Sequence, residues 1–210
     1  MGVQFDIESS NFVFDFEHDG ADDIIRLTGK GYQVEAFGKC FYYGYEFSDE
    51  VDGNIRTAFI KYVKFPESQK DNPNLTQFIQ KAVNDLNAKV NLYDYDLVVM
   101  PESSSLVNQY MLRYIYRFAQ PLMRHMELVK SLPANISFDM DGLHFKDESD
   151  ERLCKAIQGQ NVLVIDDITT SGSTLNEILR ALRVLNPDNA ITIFSLIGRK
   201  DLMAEAMPGM

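Results

Sequence analysis

The stretch from Asn161 to Leu175, NVLVIDDITTSGSTL, constrains this chain more than any other. Val162, Leu163, Val164 and Ile165 form a continuous apolar run rich in β-branched residues, which predicts a central strand covered on both faces. The run meets two consecutive acids, Asp166 and Asp167, and the strand is expected to stop there. Thr170, Ser171, Gly172, Ser173 and Thr174 follow, a loop of small hydroxyl residues around one glycine. Apolar residues return at Leu175, Ile178, Leu179, Leu182 and Leu185, which is helical spacing, and Thr174 with Glu177 stands as a capping-box pair.

This order has a chemical meaning. A glycine lets backbone come close to a ligand, and free amides at a helix start, helped by hydroxyl donors, hold a phosphate dianion. Two carboxylates cannot hold the phosphate themselves; they suit the hydroxyls of a sugar, or a magnesium ion, beside it. The ligand implied is a sugar phosphate. The plain alternative is a strand-turn-helix with a hydroxyl-rich cap. No Gly-Lys-Thr/Ser of a Walker loop follows, and GxGxxG is lacking.

The segment resembles the phosphoribosyl pyrophosphate (PRPP) signature of the type I phosphoribosyltransferases. There, four apolar residues precede two acids, an apolar and a variable residue, two small hydroxyl residues, glycine, a variable residue and Thr or Ser. Val162 to Thr174 fill all thirteen places. The resemblance implies an α/β fold: a type I phosphoribosyltransferase-like core with a mostly parallel twisted sheet flanked by helices. It also implies PRPP as donor and Mg²⁺ as cofactor. On this reading Thr170, Ser171, Gly172, Ser173 and Thr174 hold the 5-phosphate. Asp166 and Asp167 engage the ribose 2- and 3-hydroxyls, directly or through the metal, as the catalytic and metal-binding pair. A weaker likeness lies upstream. An aromatic-Tyr-Gly stretch, then IRTAFIKYVKF, a helix and a strand ending in Pro are similar in order to the ComF-like competence homologues. The cysteine-rich zinc element and arginine-rich central segment of those homologues are missing from this sequence, which marks a divergent relative.

Residues 1–65 are rich in Phe, Tyr and Gly and read as a small N-terminal β-rich hood, with 66–210 as the α/β core in a single structural unit. Phe12, Phe14 and Phe16 alternate as in a strand, Tyr32 to Phe37 and Cys40 to Tyr45 read likewise, and Asp19 to Leu27 is expected to be a short helix. Lys61 and Lys64 alternate with apolar residues and read as the wet face of an element. Asn72 caps a helix that Pro73 opens, with Leu75, Phe78, Ile79, Ala82, Val83 and Leu86 as its apolar stripe. Leu97 to Met100 form a second buried-strand run, ended by Pro101. Glu102, Ser103, Ser104 and Ser105 then precede a helical pattern from Leu106 to Phe118.

Strand, hydroxyl-rich loop and helix thus occur twice, and in doubly wound sheets ligands bind at the carboxyl ends of strands. The resemblance places pyrophosphate at the first such loop, on Glu102, Ser103, Ser104 and Ser105. The serines serve equally well as a helix N-cap, and Glu102 brings negative charge beside pyrophosphate unless it faces away or contacts magnesium.

Between the loops, 122–132 holds Arg124, His125 and Lys130, and 136–145 reads as a strand containing His144. The family carries a mobile, often basic loop here. This chain instead has six acids between Asp139 and Glu151, against Lys146 alone, a poor partner for a polyanion. Arg124 and Lys130 are candidates for the pyrophosphate, with a surface role as the alternative, and Arg199 or Lys200 for the base. No histidine stands at metal-ligand spacing to another His or Cys.

A formal charge of −11 argues against nucleic-acid or anionic-membrane binding. No apolar run approaches the roughly 20 residues of a membrane span, and MGVQFDIESS has no signal-peptide character. Cys40 and Cys154 form no CxxC and read as reduced thiols of a cytoplasmic protein. The partners expected are PRPP and an unidentified acceptor, with the aromatic hood compatible with a homodimer. Two functions fit: a transferase moving ribose 5-phosphate to a nitrogenous acceptor, or a binding module that senses PRPP or a nucleotide.

Overall fold

The structure is a computed structural model. It describes residues 2–6, 11–18, 21–28, 32–36, 39–47, 73–101, 106–128, 136–139, 142–145, 159–169, 172, 174, 175, 178, 179, 182 and 190–198. The chain opens with strands β1 (Gly2–Asp6), β2 (Asn11–His18), β3 (Ala21–Thr28), β4 (Tyr32–Ala36) and β5 (Lys39–Phe47). Helix α1 (Pro73–Lys89), a 3₁₀ turn (Leu92–Asp94), β6 (Leu97–Pro101), α2 (Leu106–Ile115) and β7 (Arg124–Leu128) come next. The hairpin β8 (Ile136–Asp139) and β9 (Gly142–Phe145), then β10 (Asn161–Ile168) and β11 (Ala190–Gly198), complete the order.

Five strands run parallel in the order β5-β11-β10-β6-β7, and β1 to β4 extend the same sheet by antiparallel pairing. The molecule is thus α/β: five parallel strands flanked by helices, in a sheet that four antiparallel strands extend to nine. The strands that the sequence assigns to a 1–65 hood are continuous with this sheet, because β5 runs parallel to β11 with Phe41 opposite Ile193 and Tyr45 opposite Ile197.

The short helix expected over Asp19 to Leu27 is instead β3. His18 pairs with Ala21 and Phe14 with Ile25, so only Asp19 and Gly20 separate the two strands. Asp-Gly between alternating runs is a strong hairpin signal, and cross-strand pairing overrides a weak helical spacing. The single strand expected over 136–145 is two strands, with Asp139 opposite Gly142.

The core forms where the apolar stripe of α1 meets the sheet. Leu75, Phe78, Ile79, Ala82, Val83 and Leu86 are buried with Val107 and Met111 of α2 and with Val98, Met100, Leu163, Ile165, Phe194 and Leu196 of the strands. Each fully buried large apolar side chain contributes about 1.5–3 kcal/mol. Tyr45 stacks on Phe78 with ring centroids 4.0 Å apart, and its hydroxyl donates to the Phe78 carbonyl at 2.9 Å. Gly44 permits this approach: a Cβ there would stand 2.8 Å from the Ala82 Cβ. The Asn72 cap, Lys61 and Lys64 lie outside the described residues.

β10 is buried from Val162 to Ile168, so both of its faces are covered, as its apolar run requires. Leu175, Ile178, Leu179 and Leu182 are also buried, outside the cluster built by α1 and α2. The strand does not stop at Asp166. Asp166 pairs with Ser195 and Ile168 with Ile197, because ladder bonds engage the backbone whatever the side chain.

At the amino ends of the strands a polar lattice fixes the start of each. Asp96 accepts the Asn161 N–H at 2.9 Å and the Gln120 amide at 2.9 Å, while its own carbonyl accepts the Arg124 N–H at 3.0 Å.

Candidate functional site

The order of the parallel strands selects one edge of the molecule. After β6 the chain moves outward to β7, whereas after β10 it moves the opposite way to β11. The direction reverses between β6 and β10, and in open α/β sheets the carboxyl ends flanking such a reversal bound the ligand crevice. Val162 is opposite Leu97 and Val164 opposite Val99, so continuing the register sets Asp166 level with Pro101. The carboxyl ends of β6 and β10 therefore stand side by side.

Asp166 and Asp167 close β10 at that edge. Both are buried, at 5% and 1% exposure. Each carboxylate turns onto the backbone just ahead: Asp166 Oδ1 accepts the Asp167 N–H at 3.0 Å, and Asp167 Oδ1 accepts the Ile168 N–H at 2.7 Å. These charge-assisted bonds hold the side chains in place while the strand geometry sends them to opposite faces. Asp166 shares a face with Val162 and Val164, and Asp167 shares one with Leu163 and Ile165.

Beyond the acids, Thr169 is buried, and its N–H donates to the Ile197 carbonyl at 2.9 Å. Its hydroxyl donates to Ser195 Oγ at 3.0 Å, which in turn donates to the Ile197 carbonyl at 2.8 Å. Gly172 is buried with φ of 72°, a left-handed conformation that favours glycine. Thr174 and Leu175 are already helical. Two acids, a left-handed glycine and a helix start thus follow one another within nine residues at the carboxyl edge. Chemically, carboxylates suit hydroxyls or a divalent cation, and a helix start suits a phosphate.

Of the residues that sequence reasoning assigned to the site, the structure describes Asp166, Asp167, Gly172 and Thr174. Thr170, Ser171, Ser173, Glu102, Ser103, Ser104, Ser105, Lys130, Arg199 and Lys200 lie outside the described residues. Arg124 is elsewhere. It begins β7 opposite Leu97, at the amino edge, with its side chain 3.2 Å from Gln160 Oε1. One length of β6 separates it from the carboxyl edge, about 13 Å at about 3.3 Å per residue. His125 follows Arg124 in β7 and is exposed, its Nδ1 2.8 Å from the Tyr116 hydroxyl; burial pushes that phenol above its ordinary value. Sequence reasoning passed over Thr169 and Ser195. A lone serine inside the apolar run of β11, opposite the first acid, is the signal that marks them.

Among the described residues no group of three or more His, Cys, Asp or Glu could hold a metal ion. No described helix is long and apolar enough to cross a membrane.

No curated protein matches the chain. A hypoxanthine-guanine-xanthine phosphoribosyltransferase structure aligns at 17% identity and TM-score 0.38, over 60% of this chain and 65% of that one. A hypoxanthine phosphoribosyltransferase from Staphylococcus aureus aligns at 18% and 0.37, over 60% and 68%. That from Trypanosoma cruzi, in complex with IMP, aligns at 12% and 0.39, over 66% and 70%. The chain spans about two thirds of the length of these structures. The family model described as "Phosphoribosyl transferase domain" matches residues 116–206, which contain β7, β10, the signature loop and β11. Over residues 116–206, this chain is thus similar to the phosphoribosyl transferase domain family.

Proposed function

We propose that the protein is a type I phosphoribosyltransferase that moves ribose 5-phosphate from PRPP to a nitrogenous acceptor in the cytoplasm. The observation that carries this reading is the succession of Asp166, Asp167, Gly172 and a helix start at the carboxyl end of β10, beside the reversal in strand order. The amides and hydroxyls of Thr170 to Thr174 hold the 5-phosphate. Asp166 and Asp167 are assigned to the ribose 2- and 3-hydroxyls, directly or through the metal, and stabilise positive charge that develops on C1 as the C1–O bond to pyrophosphate breaks. The acceptor nitrogen forms the new C1–N bond, pyrophosphate leaves with the electron pair, and the acceptor loses its proton. Catalysis is then positioning and electrostatics, with no covalent nucleophile.

Asp166 and Asp167 offer the oxygen donors magnesium prefers, and magnesium is commonly held by one or two carboxylates together with substrate phosphates and water. The two side chains leave β10 on opposite faces, so either carboxylate alone would hold Mg²⁺ with donor oxygens and water, and the ion would neutralise charge on the pyrophosphate when bound. Glu102 to Ser105, which follow β6 in the sequence, are assigned to the pyrophosphate. Residues 1–65 and the 133–150 segment select the acceptor and exclude water that would hydrolyse the donor.

A second reading, a PRPP- or nucleotide-binding sensor, is favoured by the six acids of 139–151, which suit a polyanion-closing lid badly. Calorimetry with PRPP and Mg²⁺, followed by a pyrophosphate-release assay over a panel of bases, separates the two. Transfer predicts binding and release with at least one acceptor. Binding without release for every acceptor selects the sensor, and no binding defeats both.

A further inference from the structure

Asn108 stands in the first turn of α2, the helix that follows β6 at the point where the strand order reverses. It is 2% exposed, and neither end of its carboxamide has a hydrogen-bond partner among the described residues. The other buried residues of α2 are Val107, Met111, Leu112, Tyr114 and Ile115, so Asn108 interrupts an apolar and aromatic surface. A buried amide left unpaired destabilises a fold, whereas an apolar side chain of the same shape does not. Packing alone therefore gives no reason for an asparagine here.

Its place in the fold supplies one. α2 contacts β10, and Val107 and Met111 share a core with Leu163 and Ile165. Strand alternation puts Asp167 on that same face, at its carboxyl end. The first turn of α2 is the end of the helix nearest that edge, because β6 delivers the chain there. Asn108 and Asp167 thus belong to one layer at one edge of the sheet. Resting on the donor-binding reading above, we propose that Asn108 is a binding residue for the pyrophosphate end of the donor. Its N–H groups donate to a pyrophosphate oxygen, directly or through a bound water. The pyrophosphate end is the one concerned because Asn108 belongs to the β6–α2 unit, whereas the 5-phosphate signature follows β10.

The test compares PRPP and ribose 5-phosphate, each with Mg²⁺, by calorimetry on the full chain and on Asn108→Leu. The variant is expected to melt no lower than the wild type and to lose about tenfold or more in PRPP affinity, the range for a hydrogen bond to a charged group. Its ribose 5-phosphate affinity should be unchanged, a selectivity that a structural role would not produce. Unchanged affinity for both ligands, or an equal loss of both with a lowered melting temperature, overturns the proposal. If Asn108→Leu fails to fold, Asn108→Asp carries the test. It keeps the shape and adds a charge that repels pyrophosphate, so the same PRPP-selective loss is expected and unaltered PRPP binding overturns the proposal. A wild type that binds neither ligand defeats the donor-binding reading itself, and this inference with it.

Discussion

The Thr169 hydroxyl donates to Ser195 Oγ at 3.0 Å, joining the residue that follows β10 to the neighbouring strand β11. Both residues are buried, and Ser195 passes the chain of bonds to the Ile197 carbonyl. The relay fixes the point at which the hydroxyl-rich loop leaves the sheet. Ser195→Ala strands the Thr169 hydroxyl in the core without its acceptor. The expected cost is about 1–2 kcal/mol in urea denaturation, with a few-fold weaker affinity for PRPP as the loop loses its anchor.

Gly172 holds φ of 72° in a buried position. Alanine there meets the steric penalty of the left-handed region, about 1–2 kcal/mol, while asparagine tolerates that region better. Thermal melts should therefore rank wild type above Gly172→Asn and Gly172→Asn above Gly172→Ala. Ribose 5-phosphate affinity should follow the same ranking.

Tyr45 gives the fold a pH dependence at the alkaline end. In the unfolded chain its phenol ionises at the ordinary 10.0, whereas burial, aided by the charge of Asp85, holds it protonated well above that in the fold. Above pH 10 the unfolded chain thus binds fewer protons than the folded one. The contribution is fully present below pH 10 and is lost as pH rises beyond it. Tyr45→Phe should cost about 1 kcal/mol at neutral pH, through the bond to the Phe78 carbonyl, and lower the alkaline slope of stability by about one proton. Chemical denaturation at a series of pH values checks both.

The elements that could be read in advance are those whose own side chains dictate them. Val162 to Ile165 and Leu97 to Met100 are apolar without interruption and became inner strands, and the stripe from Leu75 to Leu86 became the buried face of α1. The residues from Ala21 to Leu27 were misread because pairing with β2, a non-local term, decides their state. Arg124 looked available to the pyrophosphate because a sequence does not say which end of a strand faces the ligand; parallel pairing with β6 puts it at the amino edge. The glycine and the helix start that follow β10 were legible through local chemistry. The Thr169–Ser195 relay was not, since its partners are 26 residues apart and meet only through the β10–β11 register.

The central claim is that Asp166 and Asp167 serve the donor sugar rather than the fold. In the structure each Oδ1 accepts a backbone N–H, and an asparagine carbonyl oxygen can do the same. The double variant Asp166→Asn with Asp167→Asn should therefore keep its melting temperature within about 3 °C of wild type. Its Mg²⁺-dependent release of pyrophosphate from PRPP, with the acceptor the wild type uses, should fall by about a hundredfold or more. A folded double variant that releases pyrophosphate at the wild-type rate would contradict the account.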